Sequence, residues 1–335
     1  MRQKENTTEW EPTNPVFDPD EPMQVGGQAV IEGVMMRAKG MIATAVRRPD
    51  GTIIVKKEEF RSLIERHPRL KIPILRGAVG LIEMMYIGIK TLNYSAEVAL
   101  NHSEVETTPP NKGATTFALV VTLMVALILG IGIFFFLPLF AATQFFTIEQ
   151  NPLQFNLIAG AIRISILLAY LYAISLIKDI YRLFQYHGAE HKAVFTFERS
   201  APLTIRSAMN FTRFHPRCGT SFVLLVMFVS IFLFSLLDVG LLFFVDSLTL
   251  PIRLATHIPF IPIVGGISYE VLRFSAKHAT SSLGRFLVAP GLWLQRITTK
   301  EPDEAQMEVS LAAIKAALRL EETPIVPQTT SAAVG

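Results

Sequence analysis

The sequence predicts a mainly α-helical, polytopic membrane protein with about four transmembrane helices and a small N-terminal antiparallel β-sheet. Three observations support this fold class. Of the 335 residues, 50% are hydrophobic and only 18% are charged, whereas charged residues make up about a quarter of an ordinary soluble domain. Uncharged stretches long enough to cross a bilayer cluster between residues 113 and 297. Residues 26–60 instead show the apolar alternation of β-strands.

The N-terminal region divides into three parts. Residues 1–23 are acidic and rich in proline, and they lack the apolar core of a signal peptide, so we expect a disordered tail. Residues 24–70 predict a small cytoplasmic β domain, in which MIATAVRR and TIIVKKEEF form a hairpin around PDG and GGQAVIEGVMMR adds a third strand. Residues 71–112 predict a helix that lies in the membrane interface or re-enters from it, because its charges recur too often for a span, followed by a polar linker.

A transmembrane bundle is predicted over residues 113–282. Residues 113–148 contain no charge, and a helix needs only about 20 residues to cross the hydrocarbon core. Residues 156–177 and 218–237 predict the second and third spans. The fourth candidate, residues 254–269, contains two prolines and two glycines. We therefore expect that this fourth helix is broken by Pro and Gly.

The distribution of basic residues predicts the orientation of the chain. Residues 138–155 contain no Lys or Arg, whereas residues 178–217 contain seven. By the positive-inside rule, residues 178–217 form a cytoplasmic loop of a multi-pass cell-membrane protein whose N- and C-termini are both cytoplasmic.

The C-terminal region is predicted to return to the cytoplasmic side. Residues 283–322 contain an interfacial segment with Trp and Arg, then an amphipathic helix with Met307, Leu311, Ile314 and Leu318 on one face. We expect this helix to dock on the cytoplasmic domain. Residues 323–335 are predicted to be a disordered tail.

Charge and cysteine content limit the partners. The formal net charge is only +3, which does not indicate a nucleic acid. Membrane lipid is the expected partner, a protein partner on the cytoplasmic side is left open, and the oligomeric state is not determined. The single cysteine, Cys218, excludes an internal disulfide and fits a reducing compartment or a membrane-associated site.

A candidate metal motif lies in QYHGAEHK. His187 and His191 are four residues apart, so on a helix they share one face, and Glu190 lies close to that face. The order His-x-x-Glu-His is the spacing of inverzincin metallopeptidases, in which two imidazoles bind zinc and the glutamate acts on a bound water. The alternative is that both histidines are ordinary hydrogen-bonding residues.

Other residues of ligand type are predicted at the same membrane face. Cys218 and His215 precede the third span, and Glu270 follows the fourth. Any one of these three residues could join the two histidines to complete a site for a divalent metal, preferably zinc. Alternatively, Cys218 is a small buried apolar side chain and Glu270 pairs with Arg273 or Lys192. His187 lies ten residues beyond the uncharged run, about 15 Å along a straight helix. Assembly of the site therefore requires a tilt, or a break at Gly188.

Two further polar residues lie inside the spans. Arg163 is predicted to have a structural role, reaching the outer end of its span or pairing with Asp238. His257 lies beside Pro259 and could line a polar cavity, although a satisfied histidine near the interface is the simpler interpretation.

The chain resembles the YqhQ-like family of bacterial membrane proteins. This family is built on a domain of unknown function, and its members are often labelled predicted metal-dependent enzymes. The resemblance covers residues 24–320 and is carried by GGQAVIEGVMMR, PILRG, YHGAEHK, HPRCGTSF, GISYEVLRF and PGLWLQRITTKEP. It implies an integral membrane protein with a metal site drawn from His187, Glu190, His191, His215, Cys218 and Glu270.

Three hypotheses for function follow. The first is a metal-dependent hydrolase that acts on a membrane-associated substrate, with zinc on His187 and His191 plus Cys218 or Glu270, and with Glu190 as general base. The second is a non-enzymatic membrane scaffold or assembly factor whose soluble sheet and C-terminal helix bind a partner, with a structural His/Cys cluster. The third, a transporter-like protein, rests only on the predicted break in the fourth span.

Overall fold

The structure is a computed structural model that describes residues 25–100, 112–146, 151–278 and 281–320. The two predicted tails, residues 1–23 and 323–335, lie outside these ranges, as does nearly all of the predicted polar linker. The described chain is mainly helical with one small sheet, as the sequence predicts.

The sheet has four antiparallel strands rather than the three expected. The segment GGQAVIEGVMMR forms two strands, because the chain reverses between Val30 and Gly33, which are paired across the turn. Glu32 adopts a left-handed conformation there, with φ of 51°. The interpretation of this segment as one strand was wrong. Apolar residues alternate on both sides of the turn, so the alternation alone does not show where the chain reverses. The strands, in sheet order, are β1 (Val25–Val30), β2 (Gly33–Ala38), β3 (Met41–Arg47) and β4 (Ile53–Glu59).

Both faces of this sheet are covered, one by a helix of the N-terminal region and the other by helices from later in the chain. A short helix α1 (Leu63–Arg66) and a 3-10 turn (Pro68–Lys71) lead to α2 (Leu75–Leu100). Ile87 and Val98 of α2 pack on one face of the sheet. The opposite side of α2 leaves apolar side chains such as Ile82 exposed, which suits a helix at a membrane interface.

Among the described residues, four helices are long and apolar enough to cross a membrane. The first span, Val120–Phe145, joins α3 (Lys112–Ile131) and α4 (Leu137–Phe145) through a π-helical turn (Gly132–Phe136). The second span is α5 (Pro152–Ser175).

The chain turns at Leu176 and Ile177 and continues as α6 (Lys178–Glu198) and the short α7 (Ile205–Met209). The third span is α8 (Gly219–Leu241) and the fourth lies within α9 (Leu250–Lys277). Helix α9 continues through Pro259 and Pro262, so the predicted break of the fourth helix by Pro and Gly was wrong. The flanking turns and neighbouring helices hold the backbone helical where each proline lacks an amide hydrogen.

The last helix returns to the sheet. α10 (Ser282–Thr298) is followed by α11 (Glu304–Ala317), which begins with a capping box at Asp303. Met307 and Ile314 of α11 pack against α6 and the second face of the sheet. This confirms the prediction that the amphipathic helix docks on this domain, and it leaves the apolar face of α11 buried.

Candidate metal centre

Helix α6 carries the predicted motif, and its placement is decided by the turn that precedes it. The chain breaks at Leu176 and Ile177, not at Gly188 as the sequence suggested. Because α6 is a separate helix, it changes direction at the end of the α5 span instead of extending it. His187 is thereby brought to the N-terminus of α8, where Cys218 is the N-cap residue.

Three side chains converge there. One ligand atom from each of His187, His191 and Cys218 lies within 4.8 Å of the other two. Nε2 of His187 is 3.2 Å from Sγ of Cys218. The centroids of the His187 and His191 rings are 4.4 Å apart. The structure thus brings together the predicted histidine pair and one of the three candidate third ligands.

Backbone carbonyls set the orientation of both imidazoles. Nδ1 of His187 donates to the carbonyl of Thr298 at 2.8 Å, and Nδ1 of His191 donates to the carbonyl of Arg213. Because a carbonyl can only accept, each neutral ring keeps its lone pair on Nε2. Metal-binding histidines in proteins commonly have this arrangement, with the second nitrogen bound to a carbonyl or carboxylate.

Nε2 of His191 is the most informative atom of the site. It is buried and makes no well-formed hydrogen bond among the described residues, although Cys218 and the Glu190 carboxylate lie near it and a buried polar atom normally has a partner. A metal ion would supply the missing interaction. The donor set fits zinc, because a tetrahedral zinc with bonds of about 2.0–2.3 Å holds its ligand atoms roughly 3.3–3.7 Å apart, close to the His187–Cys218 distance.

The position of Cys218 suits a thiolate. The side chain is buried at the start of α8, where the helix dipole favours negative charge. The hydroxyl of Thr220 lies 3.0 Å from Sγ and can donate to it. Three protein ligands would leave a fourth position for water or substrate, as in catalytic zinc sites.

Glu190 lies beside the triad, against the edge of the sheet. Its Oε2 is 3.5 Å from Nε2 of His191, and its carboxylate accepts from the amide of Gly27 in β1. Burial raises the pKa of Glu190, while His187, His215 and the Gly27 amide oppose this rise. A Cβ on Gly27 would lie 3.0 Å from Cγ of Glu190, so glycine allows this close approach. Gly27 belongs to the GG pair within β1, whose glycines the sequence suggested could allow close approach to a ligand, but the sequence did not place this residue beside Glu190.

His215 lies next to the triad but both of its ring nitrogens are engaged. Its Nδ1 accepts from the amide of Arg217 at 3.2 Å, so its Nε2 carries the proton and donates to Glu198. Its ring is 5.6 Å from that of His191. Burial lowers the pKa of His215 to about 4. His215 therefore supports the site from outside instead of joining the three converging residues.

Glu270 is held away from the triad by an ion pair. Its carboxylate accepts from Nε of Arg76 at 2.7 Å and from a second guanidinium nitrogen of the same side chain. Sequence analysis considered Arg273 and Lys192 as partners for Glu270. Arg76 was missed, because it lies 194 positions away in the sequence.

Residues 299–303, which we name the strap, connect α10 to α11 across α6. The amide of Lys300 donates to the carbonyl of Phe184 at 2.8 Å. Glu301 of the strap pairs with Lys192 at 3.0 Å and with Arg213 at 3.1 Å. The strap therefore fixes the end of α10, where the Thr298 carbonyl orients His187.

Comparisons with known proteins identify a family and give no activity. The sequence profile of the family described as "Protein of unknown function (DUF1385)" matches residues 72–320. The chain is 38% identical over 312 residues to the "Uncharacterized protein YqhQ" of Bacillus subtilis (strain 168), covering 90% of this chain and 94% of that protein. No solved structure matches the chain.

Proposed function

Because the chain belongs to the DUF1385, or YqhQ-like, family, whose function is unknown, we propose a function from its own geometry. The protein is a metal-dependent membrane enzyme that holds zinc on His187, His191 and Cys218. It is a multi-pass protein of the cell membrane, and its sheet, metal site and both termini lie in the cytoplasm.

One observation carries this proposal. Two imidazoles are oriented by backbone carbonyls so that their free Nε2 atoms face one cysteine sulfur, and one of these atoms is buried without a well-formed hydrogen bond among the described residues. A cluster that served only to pack the protein would satisfy that nitrogen.

The reaction class that best fits the site is hydrolysis. Bound zinc would lower the pKa of water and polarise the bond to be cleaved. Glu190 is the proton carrier: it takes one proton from the attacking water and returns it to the leaving group, while the water oxygen bonds to the electrophilic atom of the substrate. The amide of Gly27 holds the carboxylate in position for this transfer.

The surroundings of the site support a membrane-associated substrate. Helix α10 ends at Thr298, which holds His187. On the same helix, Phe286 is 73% exposed and Trp293 is 50% exposed, as expected for a helix lying in the membrane interface. A substrate anchored in the membrane would therefore reach the site from a short distance.

The scaffold hypothesis has weaker support. It assigned partner binding to the soluble sheet and the C-terminal helix, but the apolar face of α11 is buried against α6 and one face of the sheet, and α2 covers the other face. The transporter hypothesis rested on a break in the fourth span, and α9 is continuous.

Metal content tests the proposal. The full-length protein, purified in detergent without chelators, should contain about one zinc per chain by elemental mass spectrometry, and His187→Ala and His191→Ala should lose it. His67→Ala is the matched control, because His67 is exposed and lies far along the chain in the β domain. Folded wild-type protein that neither contains zinc nor binds added zinc would refute the proposal.

A second measurement separates the role of Glu190 from metal binding. Zinc-loaded protein should hydrolyse a chromogenic ester such as p-nitrophenyl butyrate, and Glu190→Gln should abolish this activity while retaining zinc. Loss of zinc in the Glu190→Gln protein would instead identify Glu190 as a ligand, and unchanged hydrolysis would exclude it as the base.

A further inference from the structure

A second polar cluster lies inside the helix bundle, at the other end of α8 from the metal centre. Its members are Asp238 of α8 and Arg253 and His257 of α9, all with 0% exposed surface. Asp238 follows Cys218 by 20 residues on the same helix, which corresponds to about 30 Å. The proposed zinc chemistry therefore does not use this cluster.

The carboxylate of Asp238 is the centre of the cluster. Oδ2 accepts from Nδ2 of Asn156 at 2.8 Å and from Nε of Arg253 at 3.0 Å. Oδ1 is 2.8 Å from Nε2 of His257. The sequence suggested Arg163 as the partner of Asp238, but Arg163 instead donates to the carbonyl of Phe134 and lies near the hydroxyl of Ser230.

The contact with Asp238 determines the tautomer of His257. An ionised carboxylate only accepts, so Nε2 of the imidazole must carry the hydrogen, and the lone pair of the neutral ring lies on Nδ1. Nδ1 is buried and has no hydrogen-bond partner among the described residues. It is thus a basic nitrogen, inside a membrane-spanning helix, to which no described group donates.

The other charged group near His257 comes from α5. The His257 ring stacks on Phe234 at 4.3 Å and meets the edge of Phe135 at 6.5 Å. The Arg163 guanidinium lies over the same two rings, 5.1 Å from Phe135 and 5.9 Å from Phe234. His257 is therefore surrounded by one carboxylate, two guanidinium groups and two aromatic rings.

We propose that Asp238 and His257 form a proton-binding site within the helix bundle. Nδ1 of His257 takes up one proton from water through its lone pair, the ring becomes an imidazolium, and the carboxylate of Asp238 stabilises the new charge. A proton is the ligand that fits a nitrogen with no exposed surface. Ionisable residues inside transmembrane helices commonly mark proton relays.

A purely structural ion pair would explain less of the geometry. Asp238 and Arg253 already neutralise each other, so His257 is not needed to balance the charge. A histidine kept for packing would use both ring nitrogens. His257 uses one, and the other is the atom that changes on protonation.

Nitrogen NMR of full-length, detergent-solubilised protein labelled with ¹⁵N-histidine tests this proposal. The signals of His257 are assigned by their loss in His257→Gln. At high pH, Nδ1 should give the signal of an unprotonated nitrogen and Nε2 that of a protonated one. As the pH is lowered, Nδ1 should become protonated.

The role of Asp238 is tested by Asp238→Asn, which keeps the shape of the side chain. Loss of the negative charge should move the midpoint of the His257 titration to lower pH by about 1–3 units. An unchanged midpoint in a folded Asp238→Asn protein would overturn the proposed pair. If that variant does not fold, the wild-type titration still decides, because a His257 whose signals stay in one protonation state throughout would refute the proton site.

Discussion

Gly188 of α6 lies directly against the carbonyl oxygen of Lys300 in the strap. A Cβ on Gly188 would be only 2.0 Å from that oxygen. The amide of Lys300 also donates to Phe184 of α6, so the strap crosses the helix at this point. This crossing fixes the position of the Thr298 carbonyl, which orients His187.

Gly188→Ala should therefore destabilise the protein by about 1–3 kcal/mol, because the added methyl group must displace backbone. It should also weaken zinc binding, since His187 loses its orienting carbonyl. Denaturant titration and zinc titration measure the two effects. Gly240→Ala in α8 is the matched control, because a Cβ there meets nothing within 4 Å, and it should not reduce stability. Wild-type stability of Gly188→Ala would show that the strap moves without cost.

Glu190→Gln should stabilise the metal-free protein at neutral pH. Burial raises the pKa of Glu190, so the folded state keeps a proton that the unfolded state releases above its ordinary pKa of 4.5. Wild-type stability is consequently lost as the pH rises from 4.5 toward the folded pKa, whereas glutamine does not titrate. Melting temperatures in chelator should differ increasingly over that range, with the variant higher. A variant that is less stable by a constant amount at all pH values would assign the carboxylate a structural role.

Cys218 should provide a thiolate ligand. Cobalt bound to the wild-type protein should show the near-ultraviolet charge-transfer absorption of a cobalt–thiolate bond, and Cys218→Ser should lose this band and bind zinc more weakly. Thr220→Val, which removes the hydroxyl 3.0 Å from the sulfur, should retain the band. A band that persists in Cys218→Ser would exclude the cysteine as a ligand.

His215 should make the protein sensitive to acid. Burial lowers its pKa to about 4 in the folded state, below the ordinary value of 6.5, so the unfolded state binds a proton first as the pH falls. Stability is present above pH 6.5 and is lost progressively down to about pH 4, by up to about 3 kcal/mol. His215→Gln should show a smaller decrease in melting temperature over this window. An identical decrease in both proteins would assign the acid sensitivity to other groups.

Local patterns predicted the histidine pair but not the third ligand. His187 and His191 share a face because they are four residues apart on one helix. The choice among Cys218, His215 and Glu270 depended on contacts with distant segments. Arg76 holds Glu270, Glu198 and the Arg217 amide occupy His215, and Cys218 is left facing the imidazoles.

The sequence by itself determined the four apolar helices, the hairpin of β3 and β4, and the buried face of α11, since each depends on hydrophobic length or periodicity within one segment. Only the tertiary structure decided that β1 and β2 are separate strands, that α9 is continuous, and that Asp238 pairs with Arg253 and His257. Those outcomes depend on which groups elsewhere in the fold satisfy a buried charge or a backbone atom. The free energy of burying such a group is set by tertiary packing, which the pattern of a single segment does not record.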